Sequence, residues 1–353
     1  MIDIKLQHYA LLALAAAALF GISTPLAKLL LGELPPVALA GLLYLGSGLG
    51  LLAVRLLRRV GGRAPVNREA PLTRRDLPWL LGAVAAGGVV APVLLLWGLR
   101  GAGAAAASLL LNLEGVLTTL LAAVLFREAV GGRIWAASLL MAAGGALLSW
   151  QPGAGGWSPQ SLAIAGACLF WGLDNNLTRR VSAGDPLTLA MIKGLAAGSI
   201  NLALALGMGL AFPPVGVLAA AMLLGFVAYG VSLVLFIHAL RHLGSARATA
   251  HFMTAPFIGA GVAVVGLGEP LTGLFVLALL LMAAATWLAL SEQHAHAHVH
   301  EAEAHNHRHV HDAHHQHDHA GDEGPAPHAH WHRHAPLTHA HPHLPDLHHR
   351  HRH

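Results

Sequence analysis

Residues 169–180, LFWGLDNNLTRR, place Asp174, Asn175 and Asn176 inside what otherwise reads as a membrane helix. Residues 19–28, LFGISTPLAK, open the first half of the chain in the same way that 169–180 opens the second half. If the two segments are equivalent, the protein is a duplicated unit of membrane helices. The fold therefore depends on whether the two halves correspond.

The composition is that of a membrane protein with a polar tail. Hydrophobic residues make up 55% of the chain and charged residues 11%, whereas about a quarter of an ordinary soluble domain is charged. Cys168 is the only cysteine, which excludes an intrachain disulfide and a thiolate metal cluster. The pI, about 9.7, comes mostly from arginines in short loops, which indicates membrane topology rather than nucleic-acid binding.

Ten apolar segments are long enough to cross about 30 Å of hydrocarbon. The connections between them are short, and several carry Pro or Gly turn residues. The first segment is too long for a signal peptide and is interpreted as an uncleaved span. We therefore predict an all-α integral membrane protein with ten transmembrane helices. They lie near residues 8–31, 34–57, 77–99, 103–126, 132–150, 159–180, 186–210, 214–240, 244–267 and 271–291.

Lysine and arginine predict which side of the membrane each loop faces, because cytoplasmic loops keep the positive charge. With the N-terminus inside, fourteen basic residues between Lys5 and Arg247 fall on the inner side, and only Lys28 and Arg100 fall on the outer side. An even number of spans returns the chain to the side where it began. Both termini are therefore predicted to be cytoplasmic.

An internal repeat relates the two halves of the membrane part. Each half has five predicted spans, and an odd number makes the halves enter the membrane from opposite sides. Inverted repeats of this kind are typical of secondary transporters, although helices rich in Ala and Leu also match by chance. The predicted units are two five-helix repeats, 8–150 and 159–291, and a tail, 292–353. An offset of 141 residues pairs Leu99-Arg100 with Leu240-Arg241, Gly103 with Gly244, Glu128 with Glu269 and Met141 with Met282, and an offset of 150 pairs Leu19-Phe20 with Leu169-Phe170.

Over about residues 8–290 the chain resembles the EamA-type branch of the drug/metabolite transporter superfamily. The resemblance rests on the ten spans, the LFG and LFWG openings of the first and sixth, the small-residue fourth and ninth helices, and the acids that follow those two helices, Glu128 and Glu269. It implies a bacterial inner-membrane carrier, commonly an exporter, with no ATPase and no prosthetic group. One departure is Gly115, where the family often has the proline that Pro256 keeps in the second half.

Glu114 is the first candidate for binding a small-molecule substrate. It lies near the centre of the fourth span with Asn112 beside it. Charged groups that remain inside a membrane usually face a cavity or a partner, and a carboxylate there can bind a cationic group or exchange a proton. The alternative is a packing carboxylate that is hydrogen-bonded between helices.

A second candidate layer lies nearer the inner side. Asp174, with Asn175 next to it, and Lys193 are at similar distances from the inner ends of consecutive spans. At about 1.5 Å per residue both charges are roughly 10 Å deep, so they can pair, and His251 lies at a similar depth in the ninth span. The layer is either part of a substrate path or a salt bridge that fixes helix register.

Two tryptophans, Trp97 and Trp171, are candidates to line the cavity, although aromatics near span ends also anchor helices at the interface. Lys28, at the outer edge, is expected to extend along its helix to the membrane surface. Glu269, at a helix end, is expected to have a structural role.

The tail contains 23 of the 27 histidines and has no apolar periodicity, so it is predicted to be disordered. Imidazoles two residues apart suit Zn²⁺, Ni²⁺, Co²⁺ or Cu²⁺ without selecting among them. Sequence drift and a pH-dependent charge are the alternatives. The candidate metal ligands are His294, His296, His298, His300, His305, His307, His309 and His311.

Two functions compete. In the first, the protein is a gradient-driven exporter of small organic solutes that requires no cofactor. In the second, it exports or senses a divalent metal, which the tail collects and passes to His238, His242 and His251 at the inner mouth. We favour the first, because the membrane part lacks the cluster of Asp and His that a dehydrated metal ion needs.

Overall fold

Helices form nearly all of the membrane part in the computed structural model. It describes residues 4–60, 73–74, 76–126, 131–151, 156–179, 181, 185–210, 213–243 and 245–291, and in the tail the backbone of 295–300, 304–309, 328–333 and 337–342. The first half contains α1 (Ile4–Gly21), α2 (Ser23–Leu30), α3 (Pro36–Val60), α4 (Leu77–Ala83), the π-helix π1 (Val84–Val90), α5 (Ala91–Gly101), α6 (Ala104–Leu110), α7 (Leu113–Phe126) and α8 (Gly132–Ser149). The short strands β1 (Trp150–Gln151) and β2 (Gly156–Trp157) follow. The second half contains α9 (Pro159–Arg179), α10 (Pro186–Gly207), α11 (Val215–Gly225), the π-helix π2 (Phe226–Val231), α12 (Ser232–Leu243), α13 (Ser245–Phe252), α14 (Ala255–Leu267) and α15 (Gly273–Leu290).

Nine helical segments of the described chain are long and apolar enough to cross a membrane. They match nine of the ten predicted spans. The remaining predicted span is α9, which is 21 residues long but less hydrophobic, because the polar run Asp174, Asn175 and Asn176 lies within it. The protein is thus a multi-pass helical membrane protein, and α9 carries three consecutive polar residues in its last third. The nine segments are Gln7–Leu30, Pro36–Arg58, Leu77–Gly101, Ala104–Val124, Gly132–Ser149, Pro186–Gly207, Val215–Leu240, Arg247–Leu267 and Gly273–Leu290.

Contacts between helix ends define two faces of the bundle. On the first face, where α1 begins, Tyr9 stacks on His242 with ring centroids 3.9 Å apart, and Arg133 donates to the carbonyl of Ser291 over 3.2 Å. On the second face, β1 and β2 pair as a short antiparallel ribbon that joins α8 to α9. The start of α1 therefore meets the end of α12, and the start of α8 meets the end of α15, as expected for helices that cross the bundle alternately.

Small residues let helices of the two halves approach closely. In α10, a Cβ added to Gly198 would lie 2.4 Å from the backbone nitrogen of Leu45 in α3. Van der Waals packing of this kind drives helix association where lipid removes most of the hydrophobic effect. The α3–α10 contact is extensive, and it joins the first half of the chain to the second.

Several spans change helical register near mid-depth, which the sequence analysis did not predict. π1 lies between α4 and α5, and π2 lies between α11 and α12. π2 begins 142 positions after π1 begins. Likewise α6 and α7 are separated by residues 111–112, and α13 and α14 by residues 253–254. Proline accounts for part of this, because α5 and α14 each begin with one in the first turn and a proline cannot continue the preceding hydrogen bonds. Equivalent irregularities thus occur at equivalent places in the two halves.

Four short strands lie in the tail, where the sequence analysis predicted no secondary structure. β3 (Ala295–His300) pairs antiparallel with β6 (Leu337–Pro342), and β4 (Ala304–His309) with β5 (His328–Arg333). Alternation of histidine with other residues has the period of two that suits a strand. Two-stranded ribbons of this size are marginally stable alone. The disorder of the tail stays a prediction, and the rest of the tail lies outside the described residues.

Candidate functional site

The site is organised around two backbone carbonyls in the third span. Pro92 has no N–H, so the carbonyls that precede it by four or five residues lose a helical partner. The carbonyl of Gly87 accepts hydrogen bonds from the Tyr44 hydroxyl (2.7 Å) and the Trp171 indole (3.0 Å). The carbonyl of Gly88 accepts one from the Asn201 side-chain amide (2.9 Å). Three other spans therefore supply the donors that the third span lacks.

Asp174 occupies the space beside Gly87. A Cβ at position 87 would lie 1.9 Å from Asp174 Oδ2, so only glycine lets α9 approach π1 here. Lys193 Nζ lies 2.5 Å from Oδ1 and 2.7 Å from Oδ2 of Asp174, and the Thr178 hydroxyl donates to Oδ1 over 2.9 Å. The pairing of Asp174 with Lys193, predicted from depth, is confirmed, and the pair is largely buried.

Glu114 lies across α9 from this ion pair, on α7. Asn175 donates from Nδ2 to Glu114 Oε1 over 2.9 Å and to the Thr118 hydroxyl over 3.2 Å. The Thr118 hydroxyl in turn donates to the backbone carbonyl of Glu114 over 2.8 Å. Glu114 is half-buried, and Asn175 is exposed. The carboxylate therefore has a neutral partner and an open side, unlike Asp174.

Asn176 fixes the position of α9 against α7. Its side-chain amide donates to the Thr118 carbonyl over 3.0 Å and to the Gly172 carbonyl over 2.8 Å, and the side chain is only 3% exposed. The three polar residues that open the second half thus have different partners. Asp174 binds a lysine, Asn175 reaches Glu114, and Asn176 holds the helix pair together.

The structure brings together five of the predicted site residues and leaves three apart. Asn112 is buried and donates to the Leu109 carbonyl of its own span. This bond gives a partner to a backbone carbonyl near the break between α6 and α7. The ring of His251 bonds the Arg247 carbonyl, one turn earlier on α13. Trp97 is 47% exposed on α5. The residues brought together are Glu114, Asn175, Asp174, Lys193 and Trp171.

Thr118 and Asn176 were not among the predicted site residues, although the sequence contains a signal for each. Thr118 follows Glu114 by four residues, the spacing that places two side chains on one helix face. Asn176 belongs to the polar run quoted first. By contrast, the bond from Asn201 to Gly88 joins residues far apart in the chain, and no local pattern indicates it.

Five aromatic rings on α1, α3, π2, α12 and α13 form a row. The aromatic row consists of Tyr44 (α3), Tyr229 (π2), Phe20 (α1), Phe252 (α13) and Phe236 (α12). In that order, successive ring centroids are 5.8, 5.8, 5.5 and 4.7 Å apart, and every ring is half-buried. Rings from four separate spans meet only inside a bundle, so the row forms an interior wall.

The segment formed by α6 and α7 diverges from the segment formed by α13 and α14 toward the first face. Their second-face parts, α6 and α14, pack together, and a Cβ on Gly259 would lie 2.9 Å from Ser108 Oγ. Beyond the two breaks, α7 packs on α9, whereas α13 packs on α1 and α12. The polar groups on α7 and the aromatic row on α13 therefore lie on opposite sides of this divergence.

Two charged side chains close the second face. Glu269 accepts hydrogen bonds from the backbone N–H groups of Ala104 (2.6 Å) and Ala105 (2.8 Å), after Gly268 has ended α14 in the left-handed conformation (φ 68°). Lys28 donates to the carbonyls of Leu99 (2.6 Å), Arg100 (3.1 Å) and Ala102 (2.7 Å). Lys28 therefore binds the carbonyls of the α5–α6 turn at this face, and the expectation that it extends to the membrane surface stays a prediction.

The candidate metal ligands of the tail cannot be placed as side chains. His294 and His311 lie outside the described residues, and the other six lie in β3 and β4, of which only the backbone is described. In the described part of the chain, no group of three or more His, Cys, Asp or Glu side chains is arranged to hold a metal ion.

The fold and the site define a multi-pass helical membrane protein whose polar groups converge inside the bundle. The EamA-like transporter family matches residues 7–150 and 159–291, and the chain belongs to this family. The resemblance found in the sequence is thus confirmed at the level of the family, and the protein is a membrane transporter. The histidine-rich tail lies outside both matched segments.

Two further similarities agree with this assignment. An uncharacterized transporter of Methanothermobacter thermautotrophicus is 28% identical, and the alignment covers 75% of this chain and 84% of the relative. A crystal structure of another protein has a TM-score of 0.58 at 21% identity, and the match covers 80% of this chain and 95% of that protein's chain. The second similarity concerns the fold alone.

The ion pair gives the first prediction. Lys193→Met leaves a buried carboxylate without its partner, and we expect a loss of about 3–5 kcal/mol in the free energy of unfolding. The double variant Asp174→Leu with Lys193→Met removes both charges and is expected to recover most of this loss. Arg100→Met, at an exposed position, is the matched control. Thermal unfolding in detergent measures the four proteins, and equal losses in the double and single variants would contradict the prediction.

Proposed function

We propose that the protein is a secondary transporter that carries a small organic solute, in the outward direction, by alternating access. The observation that carries this proposal is the position of Glu114. A carboxylate lies inside the bundle, bonded to a neutral amide, on the side where α7 and α13 have separated. An intramembrane carboxylate of this kind binds a cationic group or exchanges a proton.

An inverted repeat supports alternating access. The irregular segments π1 and π2 and the breaks at 111–112 and 253–254 occur at equivalent places in the two halves. The family matches each half separately. We infer that α9 is the tenth span, because Leu80, Val181 and Leu189 cluster where α4 begins, α9 ends and α10 begins. Each half then has five spans and lies inverted relative to the other.

The conformation described is one with the second face closed. Glu269 belongs to the second half and binds the start of α6 in the first half. Toward the first face the spans diverge. In alternating access, the opposite state opens the second face and brings α7 and α13 together, while the site around Glu114 stays near the middle of the membrane.

Divalent metal efflux, the alternative function, gains no support from the membrane part. The described residues contain no group of three potential metal ligands. The polar cluster consists of one ion pair, one carboxylate and neutral amides and hydroxyls, which is a poor ligand set for a dehydrated transition metal. The tail therefore enters the proposal as an accessory element.

For the tail we propose binding of Zn²⁺, Ni²⁺, Co²⁺ or Cu²⁺. Its support is the backbone register, which pairs histidine positions with histidine positions across both ribbons. The opposed pairs are His296 with His341, His298 with His339, His305 with His332, His307 with His330, and His309 with His328.

Glu114 gives the second prediction. In proteoliposomes with an imposed pH gradient, a panel of labelled amines, amino acids and toxic analogues should include a solute that the protein transports. Glu114→Gln should lower that rate about tenfold or more, because a hydrogen bond to a charged group contributes about 1.5–3 kcal/mol. Glu33→Gln, at an exposed position, is the control and should transport normally. Transport unchanged in Glu114→Gln would assign the carboxylate a structural role.

The third prediction concerns topology. We propose that both termini are cytoplasmic, in a bacterial inner membrane, because the connections on the first face carry most of the arginines. Single cysteines introduced at Glu33 and Asp76 into a Cys168→Ser background should react differently with a membrane-impermeant maleimide in intact cells. The cysteine at position 33 should be labelled and that at position 76 protected. The reverse result would invert the orientation.

The fourth prediction concerns the tail. Calorimetry should detect Zn²⁺ uptake by the full chain and its loss in a chain that ends at Ser291, whereas Ca²⁺, which prefers oxygen ligands, should give no heat with either protein. Replacing the opposed pair His307 and His330 by Ala should weaken Zn²⁺ binding more than replacing the sequence neighbours His314 and His315. Equal effects would show that the ribbon register does not matter.

A further inference from the structure

We propose that the cavity selects amphipathic monocations, that is, amines whose single positive charge is attached to an apolar or aromatic body. This inference rests on the proposed function and names its substrate class. Two observations carry it, one on the polar groups of α7 and α9 (the polar wall) and one on the aromatic row (the apolar wall), and a third sets the distance between them.

The first observation is the net charge of the polar wall. Asp174 is neutralised by Lys193, whose Nζ lies within 2.7 Å of both carboxylate oxygens. Glu114 accepts one side-chain hydrogen bond, from the neutral amide of Asn175 to Oε1. Among the described residues of this wall, Glu114 is thus the carboxylate that has no cationic partner. A ligand that brings one positive charge balances the wall, and an anion is repelled.

The second observation is the apolar wall. The aromatic row has ring centroids 4.7–5.8 Å apart, which is a continuous apolar surface of half-buried rings. Such a surface offers a divalent metal ion no ligand. It accommodates hydrocarbon or aromatic groups, and the ring faces attract an organic cation.

The third observation is where the two walls meet. Tyr44, at one end of the aromatic row, and Trp171 donate to the same carbonyl, that of Gly87. Trp171 precedes Asn175 by four residues on α9, so their side chains share a helix face about one turn, or 5.4 Å, apart. A ligand whose ammonium group lies at Glu114 therefore reaches Trp171 and Tyr44 with a body two or three carbon atoms away from the charge.

The test compares probes of one shape and different charge. Phenethylamine is the cation, 2-phenylethanol the neutral probe and 3-phenylpropionate the anion, and each is titrated into the full chain in nanodiscs by calorimetry. We expect the amine to bind at least tenfold more tightly than the alcohol, and the anion to bind more weakly than either. Comparable binding of the anion, or of the alcohol, overturns the proposal.

Single variants test the contribution of each wall separately. Glu114→Gln should lower the affinity for the amine to that for the alcohol and leave the alcohol unchanged, while Glu33→Gln should change neither. Phe252→Leu, which keeps an apolar side chain and the fold, should weaken both probes by a similar factor. Amine binding that is independent of Glu114, or unaffected by Phe252→Leu, would overturn the assignment of the corresponding wall.

Transport in proteoliposomes distinguishes failure of this inference from failure of the proposed function. One outcome is that another class of solute is transported through Glu114 and that phenethylamine does not compete with it. The proposed substrate class is then wrong, and the proposed transport function stands. If phenethylamine binds through Glu114 but neither it nor the rest of the panel is transported, the site is right and the proposed function is wrong.

Discussion

Inside a bilayer a backbone carbonyl without a partner costs several kcal/mol, because no water is present to bond it. Pro92 creates this problem at Gly87 and Gly88, and the solution requires donors from three other spans, Tyr44, Trp171 and Asn201. The helices α3, α9 and α10 are therefore tied to one irregular turn between α4 and α5. The positions of the remaining site residues follow from that arrangement.

The polar run of α9 shows how one turn of helix serves three purposes. Asp174 fits against Gly87, where a larger residue would prevent the approach, and is neutralised by Lys193. Asn176 binds α9 to the backbone of α7. These two residues hold the helix, so Asn175 alone is exposed, next to Glu114. Asp174 and Asn176, which stabilise the helix, are thus distinct from Asn175, which contacts Glu114.

Much of the fold was predictable from composition, and much of the site was not. Hydrophobic segment length predicted the nine described segments that can cross a membrane, although it also predicted a span at the less hydrophobic α9. Depth counting predicted the pairing of Asp174 with Lys193, because depth depends on position along one helix. Depth counting does not specify which way a side chain points around its helix, so His251 was placed in a layer that it does not join. The turns π1 and π2 escaped prediction because residue type does not determine hydrogen-bond register. The carbonyl partners of Lys28 were not predicted because they lie more than seventy positions away in the sequence.

Glu269 links the two halves of the chain at the second face. Its carboxylate and the two N–H groups of α6 satisfy one another across the two halves, and each such bond contributes about 1.5–3 kcal/mol. Partial separation leaves three polar groups without their partners at once, because both N–H groups bind the same carboxylate. The contact is therefore lost as a unit rather than one bond at a time, and it joins the two halves at this end of the bundle in an all-or-none manner.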